Sequence, residues 1–145
     1  MTKDEWVDKL IILANQPSDY SQEYGYNALR WDGEKWWSDC SNLMKALFNG
    51  RDINDKTPGK FEENTSNTED VNANLIHMNG HLGAYIGKDI ETEHDICNVV
   101  ESTSAWKRGI QFSYVDPMGR RFYGKNGKQN GTWIHHGKPS LWISY

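Results

Sequence analysis

Hydrophobic positions follow two different periods along this chain, a helical one near the N-terminus and an alternating one in the second half. Thr2-Lys3-Asp4-Glu5 has the spacing of a capping box, and an apolar stripe at helical spacing follows it: Trp6, Leu10, Ile11, Leu13 and Ala14. Asn15-Gln16-Pro17 should end this helix, because proline disfavours the helical conformation in the residue before it. We therefore predict an amphipathic helix that ends near Asn15.

A second helix is predicted to begin at Cys40. Ser38 and Asp39 are good N-cap residues, the apolar face comprises Leu43, Met44, Ala46, Leu47 and Phe48, and Asn49-Gly50 is a stop signal. Residues 17–37 are rich in Tyr and Trp and are predicted to form a loop. Residues 51–74 are polar and are predicted to form a long surface excursion.

Alternating patterns dominate from residue 73 onward. Strands are predicted at 73–78, 81–87, 96–102, 109–114 and 131–136, with Gly, Asn and Asp-Pro turn signals between them. Leu82, Ala84 and Ile86 should share one face and His81, Gly83 and Tyr85 the other, while Cys97, Val99 and Glu101 should share a face of the next strand. Helices followed by an antiparallel meander favour an α+β fold with the helices packed on the sheet.

Length and composition narrow the class of protein. With 145 residues the chain is expected to be a single domain, 1–145. No apolar run is long enough for a membrane span and the N-terminus lacks a signal peptide's apolar stretch, so we expect a soluble protein without membrane insertion. The two cysteines, Cys40 and Cys97, are interpreted as thiols, since one possible bridge does not make a disulfide scaffold. Part of the aromatic excess should line a groove.

The charge is unevenly distributed. Residues 1–101 hold 9 Lys or Arg against 19 Asp or Glu, a net charge of −10, whereas residues 102–145 hold seven basic residues and only Asp116, a net charge of +6. A basic end on an acidic protein indicates either contact with an anionic polymer or a solvated loop. Nucleic acid is a poor candidate, because the acidic remainder would repel its phosphates.

The residue types point to a Cys–His hydrolase. Cys40 at a helix N-terminus meets unpaired backbone N–H groups and the positive end of the helix dipole, both of which favour the thiolate nucleophile. His81 opens a strand and could carry the proton, and the backbone N–H of Cys40 could stabilise an oxyanion. Glu101, a carboxylate in an otherwise apolar strand, needs a partner and could orient the imidazole. Taken singly, the three residues could equally be a buried thiol, a structural histidine and a partner of a surface lysine.

Metals and cofactors are not predicted. His77, His94, His135 and His136 lack any zinc-ligand spacing. Asp52, Asn54 and Glu63 loosely resemble a calcium loop, which stays open as an alternative although Lys56 and Thr57 occupy the places of a ligand and a glycine.

Four segments resemble the NlpC-type papain-like cell-wall hydrolases and the related CHAP amidases of phage endolysins. Asp39-Cys40-Ser41-Asn42-Leu43 resembles the family's Asp-Cys-Ser-Gly nucleophile motif, and Gly80-His81-Leu82-Gly83 resembles its Gly-His-Val-Gly strand. Val99-Val100-Glu101-Ser102-Thr103 resembles its Val-Val-Glu-Ala-Thr run, and Trp133-Ile134-His135-His136-Gly137-Lys138 resembles its closing Trp-x-x-His-Gly-Lys segment. Asn42 departs from the family's glycine, many members carry a residue other than Glu at the third position, and no cell-wall-binding repeat follows.

The resemblance implies a papain-like NlpC/CHAP fold and a peptidoglycan hydrolase that cleaves a stem-peptide amide, as an N-acetylmuramoyl-L-alanine amidase or an endopeptidase. Cys40 would be the nucleophile, His81 the base and Glu101 the third member, with Asp39 and Ser41 shaping substrate binding. The candidate groove walls are Trp31, Trp36, Trp37, Trp106 and Trp133. A monomer made in the cytoplasm of a bacterial host and acting on bacterial peptidoglycan after release is expected. The alternatives are an acyltransferase or amide-cleaving toxin, or a non-catalytic module that binds the wall.

Overall fold

The computed structural model describes residues 1–22, 29–47, 74–137 and 143–144. Its helices are α1 (Lys3–Ala14) and α2 (Cys40–Leu47). Its strands are β1 (Ser18–Tyr20), β2 (Arg30–Trp31), β3 (Trp36–Ser38), β4 (Asn74–Met78), β5 (His81–Glu91), β6 (Ile96–Thr103), β7 (Gly109–Val115), β8 (Arg120–Phe122), β9 (Gln129–Thr132) and β10 (His135–Gly137). The prediction of an α+β protein with an antiparallel sheet is confirmed.

Helix α1 begins and ends where the sequence predicts. Thr2 is its N-cap, since the Thr2 hydroxyl accepts a hydrogen bond from the Glu5 backbone N–H at 3.1 Å. Trp6 and Leu10 are fully buried. Ser144 forms a parallel bridge with Thr2, which ties the described C-terminal residues to the start of the helix.

Residues 17–37 are not only a loop, and this prediction is wrong in part. Strand β3 pairs in parallel with β1 and antiparallel with β2, which gives a three-stranded sheet directly before α2. These strands have only two or three residues each, too few for an alternating pattern to show in the sequence. Their pairing fixes the position of the segment that leads into α2 and therefore into Cys40.

The larger sheet has the order β10-β4-β5-β6-β7-β8-β9 among the described residues, and all of its pairings are antiparallel. The first four predicted strands are confirmed as β4 to β7. The fifth, predicted at 131–136, is wrong: β9 and β10 lie at opposite edges of the sheet. The Trp133 N–H donates to the Gly119 carbonyl and the Ile134 N–H to that of His77, each at 2.8 Å. Two consecutive residues, Trp133 and Ile134, thus bond to opposite halves of the sheet, so the sheet must curl strongly.

Each face of the curled sheet carries its own core. Leu82, Ala84 and Ile86 pack with α1 and α2, as predicted. The opposite face buries Ile76, Val99, Val115 and Trp133, with Tyr85 packed against them. Trp133 lies in the short segment that connects β9 to β10 at the opposite edges of the sheet, so this second face is partly enclosed. The charged side chains described below lie on this face.

The expectation that Cys97 shares a face with Val99 is wrong. Cys97 packs in the helix-side core and Val99 in the other. The pairing of β5 with β6 shifts register between Tyr85 and Ile90. On the other side of β6, Asn98 joins this strand to β7: its side chain donates to the Val115 carbonyl at 3.0 Å and accepts from the Val115 N–H at 2.9 Å.

The two described helices, of 12 and 8 residues, are too short to cross a membrane. The predicted stop signal Asn49-Gly50, the polar excursion up to residue 73 and the loosely calcium-like segment lie outside the described residues.

Candidate active site

Cys40 is the first residue of α2, and its half-buried thiol is free. Asp39 caps the helix: its Oδ1 accepts from the Asn42 N–H at 2.8 Å and from the Ser41 hydroxyl at 3.4 Å. Both residues that the family resemblance assigned to substrate binding therefore contact the first turn of the helix. Their observed role is to fix the turn that presents the sulfur.

His81 lies at the start of β5 and contacts two side chains of the predicted constellation. Its Nε2 lies 2.7 Å from Glu101 Oε1, and the Cys40 side chain lies close enough to the imidazole to influence its pKa. Because Nε2 is directed at the carboxylate, Nδ1 is the nitrogen left for the sulfur. Burial lowers the pKa of His81, but the neighbouring Cys40 and Glu101 side chains outweigh it and raise the pKa to about 9.

Glu101 is completely buried and still ionised. Burial raises the pKa of its carboxyl, but the hydrogen bonds and charges of His81 and Arg121 lower it to about 2. The Ser113 hydroxyl donates to Oε2, and Arg121 Nε donates to Oε1 at 3.1 Å and to Oε2 at 3.2 Å. The charges of His81 and Arg121 therefore favour the anionic form of Glu101, and the Glu101 carboxylate in turn favours an imidazolium at His81.

Arg121 is a residue that the sequence analysis counted only as part of a basic segment. Its side chain is 5% exposed and closes an ion pair with Glu101 from the side away from β5. Its guanidinium lies over the ring of Trp106 at 4.5 Å and near that of Trp133 at 5.7 Å. The signal that could have revealed it is the buried glutamate itself, since a buried carboxylate requires a cation beside it.

Trp133 is not an open groove wall, contrary to the prediction. Only 2% of it is exposed, and its ring stacks on His81 with the centroids 5.4 Å apart and the planes at 25°. Gly83, two residues after His81, makes room for it, because a Cβ there would lie 2.8 Å from the edge of the indole. Trp133 thus sets the plane of the imidazole.

Trp106 lies on the loop between β6 and β7 in a left-handed conformation, with φ of 53°. The buried Gln111 lies inside this loop: its two-donor Nε2 is within hydrogen-bonding distance of the carbonyls of Thr103, Ala105 and Gly109, at 3.3, 3.2 and 3.1 Å, and close to that of Lys107. The Trp106 ring stacks on Tyr123, with 5.0 Å between the ring centroids, in addition to its contact with the Arg121 guanidinium. No local pattern indicates this role of Gln111.

The remaining predicted tryptophans belong to the small sheet. Trp36 donates its indole N–H to Gln16 Oε1 and Trp37 donates its own to Asp32 Oδ2, each at 2.6 Å. Trp31 is 47% exposed and packs against Trp36. Cys40, His81 and Glu101 are brought together with Trp106 and Trp133, whereas the indole N–H groups of Trp36 and Trp37 are bonded elsewhere.

The basic C-terminal segment is divided among separate contacts. Arg121 is buried on Glu101, Arg120 pairs with Asp116 at 2.6 Å, and Arg108 pairs with Asp19 at 3.1 Å. Three of the seven basic residues of this segment are therefore paired with carboxylates. The described part of the chain does not contain three His, Cys, Asp or Glu side chains grouped as metal ligands.

Cys97, the second thiol, is fully buried beside the turn between β5 and β6. Burial raises its pKa to about 11, which keeps it protonated and unreactive near neutral pH. The site thus brings together a half-buried thiol, an imidazole and a buried carboxylate, the three kinds of group that a thiol-dependent acyl transfer uses. Comparisons of the chain with protein-family models, curated proteins and solved structures return no match.

Proposed function

We propose that this protein is a papain-like cysteine hydrolase of the NlpC/CHAP type that cleaves an amide bond in the stem peptide of bacterial peptidoglycan. The observation that carries the proposal is the 2.7 Å hydrogen bond between His81 and Glu101, together with a Cys40 side chain close enough to the imidazole to raise its pKa. The likeness of four motifs to that family supports peptidoglycan as the substrate class.

The charges of the site support a thiolate–imidazolium mechanism. The Cys40 thiolate attacks the carbonyl carbon, and the backbone N–H of Cys40 stabilises the oxyanion. His81 donates its proton to the leaving amine as the C–N bond breaks and an acyl thioester remains on Cys40. A water molecule, deprotonated by His81, then hydrolyses the thioester, which releases a carboxylic acid and restores the ion pair.

Glu101 and Arg121 have different parts in this scheme. Glu101 accepts a hydrogen bond from His81 Nε2, which orients the imidazole with Nδ1 towards the Cys40 sulfur. The carboxylate also stabilises the imidazolium. Arg121 does not meet the substrate; its guanidinium balances the Glu101 charge and holds that carboxylate in place.

The test is digestion of purified sacculi with mass spectrometry of the released fragments. Wild type should release fragments with new amino groups and new carboxyl groups at one stem-peptide amide. Cys40→Ala and His81→Ala should reduce release by more than about a thousandfold. Cys97→Ala is the matched control for loss of a thiol and should release fragments as wild type does.

Other outcomes distinguish the rival functions. Fragments acylated onto an added amine instead of hydrolysed indicate an acyltransferase. Binding of sacculi without any bond cleavage indicates a wall-binding module, and release of new reducing sugar ends indicates a glycosidase. Any of these results, or full lysis by Cys40→Ala, contradicts the proposal.

A further inference from the structure

A cavity of about 210 Å³ lies between the end of α1, the turn from β5 to β6 and the loop from β6 to β7. Its lining residues all have chain neighbours within the described part of the protein. Cys40, His81 and Glu101 do not line it, so it is separate from the candidate active site. At about 30 Å³ for each water molecule, the cavity has room for a ligand of roughly seven to ten non-hydrogen atoms.

Two exposed side chains of opposite charge, Glu93 and Lys107, lie in the lining. Neither forms an ion pair with any residue that the structure describes. Burial raises the pKa of the Tyr123 phenol, and the nearby Cys97 and Glu93 side chains raise it further. Because Tyr123 also lines the cavity, this influence indicates that the Glu93 carboxylate lies on the cavity side of the turn.

The backbone that carries each charge is braced. The Thr92 N–H and hydroxyl donate to the Asp95 carbonyl at 2.9 and 2.8 Å, which closes the turn that contains Glu93. The Lys107 carbonyl lies close to Gln111 Nε2 inside the next loop. The two charges are thus presented from fixed chain segments, which lowers the conformational cost of binding a ligand between them.

The rest of the wall is largely apolar and contains one unsatisfied acceptor. Ala14, Pro17 and Phe112 supply the apolar part. Gln111, which also lines the cavity, has a buried Oε1 without a hydrogen-bond partner. A donor that enters the cavity could relieve the cost of leaving this acceptor unpaired.

These features favour one class of ligand. A sugar would need an open aromatic face, but the Tyr123 ring already stacks on His94 and Trp106, at 3.7 and 5.0 Å between centroids. A simple anion would be repelled by Glu93 and a simple cation by Lys107. A small zwitterion satisfies both charges, and the adjacent ammonium and carboxylate of a free amino acid form such a pair.

We propose that this cavity binds a free α-amino acid with an apolar side chain. Lys107 binds the carboxylate, Glu93 binds the ammonium group, and Phe112 with Pro17 contacts the side chain. This second site does not depend on the proposed hydrolase activity.

The experiment titrates the protein at neutral pH with L-leucine, L-leucinamide and N-acetyl-L-leucine and follows backbone amides by NMR. Leucinamide lacks the carboxylate and N-acetylleucine lacks the ammonium group. Leucine should shift the amides of the lining residues in a saturable manner, with a Kd on the order of 1 mM. Each analogue should bind about three- to tenfold more weakly, the size expected for one exposed charge-assisted contact.

Two variants assign the charges. Lys107→Met should bind leucine and leucinamide equally but still discriminate against N-acetylleucine, and Glu93→Gln should show the reverse pattern. This crossed pattern cannot arise from a general loss of folding, which thermal melting checks independently. Lys125→Met and Glu91→Gln remove exposed charges outside the lining and should keep the wild-type ratios.

Three outcomes would overturn the amino-acid site. They are equal binding of all three compounds by wild type, discrimination that survives both lining variants, and the absence of saturable shifts on the lining amides. Because leucine contains no amide bond, each of these results leaves the proposed hydrolysis of stem peptides untouched. Conversely, loss of the hydrolase proposal would leave the crossed pattern as evidence for the site.

Discussion

The indole of Trp133 stacks on the imidazole of His81 at 5.4 Å between centroids, on the same ring whose Nε2 lies 2.7 Å from Glu101. The stacking fixes the plane of the ring and the hydrogen bond fixes its rotation within that plane. Only one orientation satisfies both, and it leaves Nδ1 for Cys40. The imidazole that we propose as the catalytic base is thus held by one buried aromatic side chain and one buried anion.

Gly83→Ala tests the stacking. The added methyl would lie 2.8 Å from the edge of the Trp133 ring, so the indole must move and the plane of His81 with it. We expect kcat to fall about tenfold with little change in KM, since small misplacements of catalytic groups act on the reacting geometry. The measurement is steady-state hydrolysis of a soluble stem peptide.

Trp133→Phe in the Gly83→Ala background serves as the control for this prediction. The smaller ring leaves room for the methyl, so the double variant should lose less activity than the product of the two single losses. Simple multiplication of the two losses would contradict a clash at Trp133 as the cause.

Arg121→Met tests the charge balance of the cluster. Removing the guanidinium leaves Glu101 buried with less compensation, which should lower the free energy of unfolding by about 3 kcal/mol. It should also raise the pKa of His81, because a cation near the imidazolium is gone, and shift the alkaline limb of the pH–activity profile upward. Arg120→Met, at an exposed pair, should cost less than about 1 kcal/mol and leave the limb where it is. Loss of stability with an unmoved limb would limit Arg121 to a purely structural role.

The pH dependence follows from the raised pKa of His81. Folded protein keeps the imidazolium up to a pKa of about 9, whereas an ordinary histidine loses its proton near 6.5. The folded state therefore binds more protons in this window, and the free energy of unfolding should decrease, by on the order of 2 kcal/mol, as pH rises from 6.5 to 9. Activity should fall over the same upper limb, as the proton needed by the leaving amine is lost.

Glu101→Gln checks the origin of this pH dependence. Without the carboxylate the pKa of His81 should fall, so the alkaline limb should move to lower pH and the loss of stability should begin earlier. Chemical denaturation at fixed pH values together with a pH–rate profile measures both. An unchanged limb would show that Glu101 does not set the protonation of the imidazole.

The two cysteines should differ in reactivity. Cys40 is half-buried at a helix start, while Cys97 is sealed in the core with a pKa raised to about 11. Brief exposure of the native protein to iodoacetamide at neutral pH should give one adduct, on Cys40, by peptide mass spectrometry. The loss of activity should follow that adduct. Modification of Cys97 at a comparable rate would contradict the observed burial.

Local patterns sufficed for a substantial part of this protein. Capping residues and apolar spacing determined α1 and the start of α2, and alternation determined β4 to β7, because these signals depend on neighbours within a few residues. The choice of Cys40, His81 and Glu101 also came from sequence, since a helix-start thiol, a strand-opening imidazole and a carboxylate in an apolar strand are each unusual in their local setting.

Contacts between distant segments decided the rest. Arg121 reaches Glu101 across 20 residues, and Gln111 braces the loop that carries Trp106. Trp133 was predicted to line a groove but is buried against His81 and Gly83, because the sheet curls until its two sides meet at residues 133 and 134. Sequence alone determined which side chains could do chemistry, through their local environments. Only the tertiary structure decided which of these charged side chains are buried next to each other, because burial and ion pairing depend on strands that are far apart in the chain.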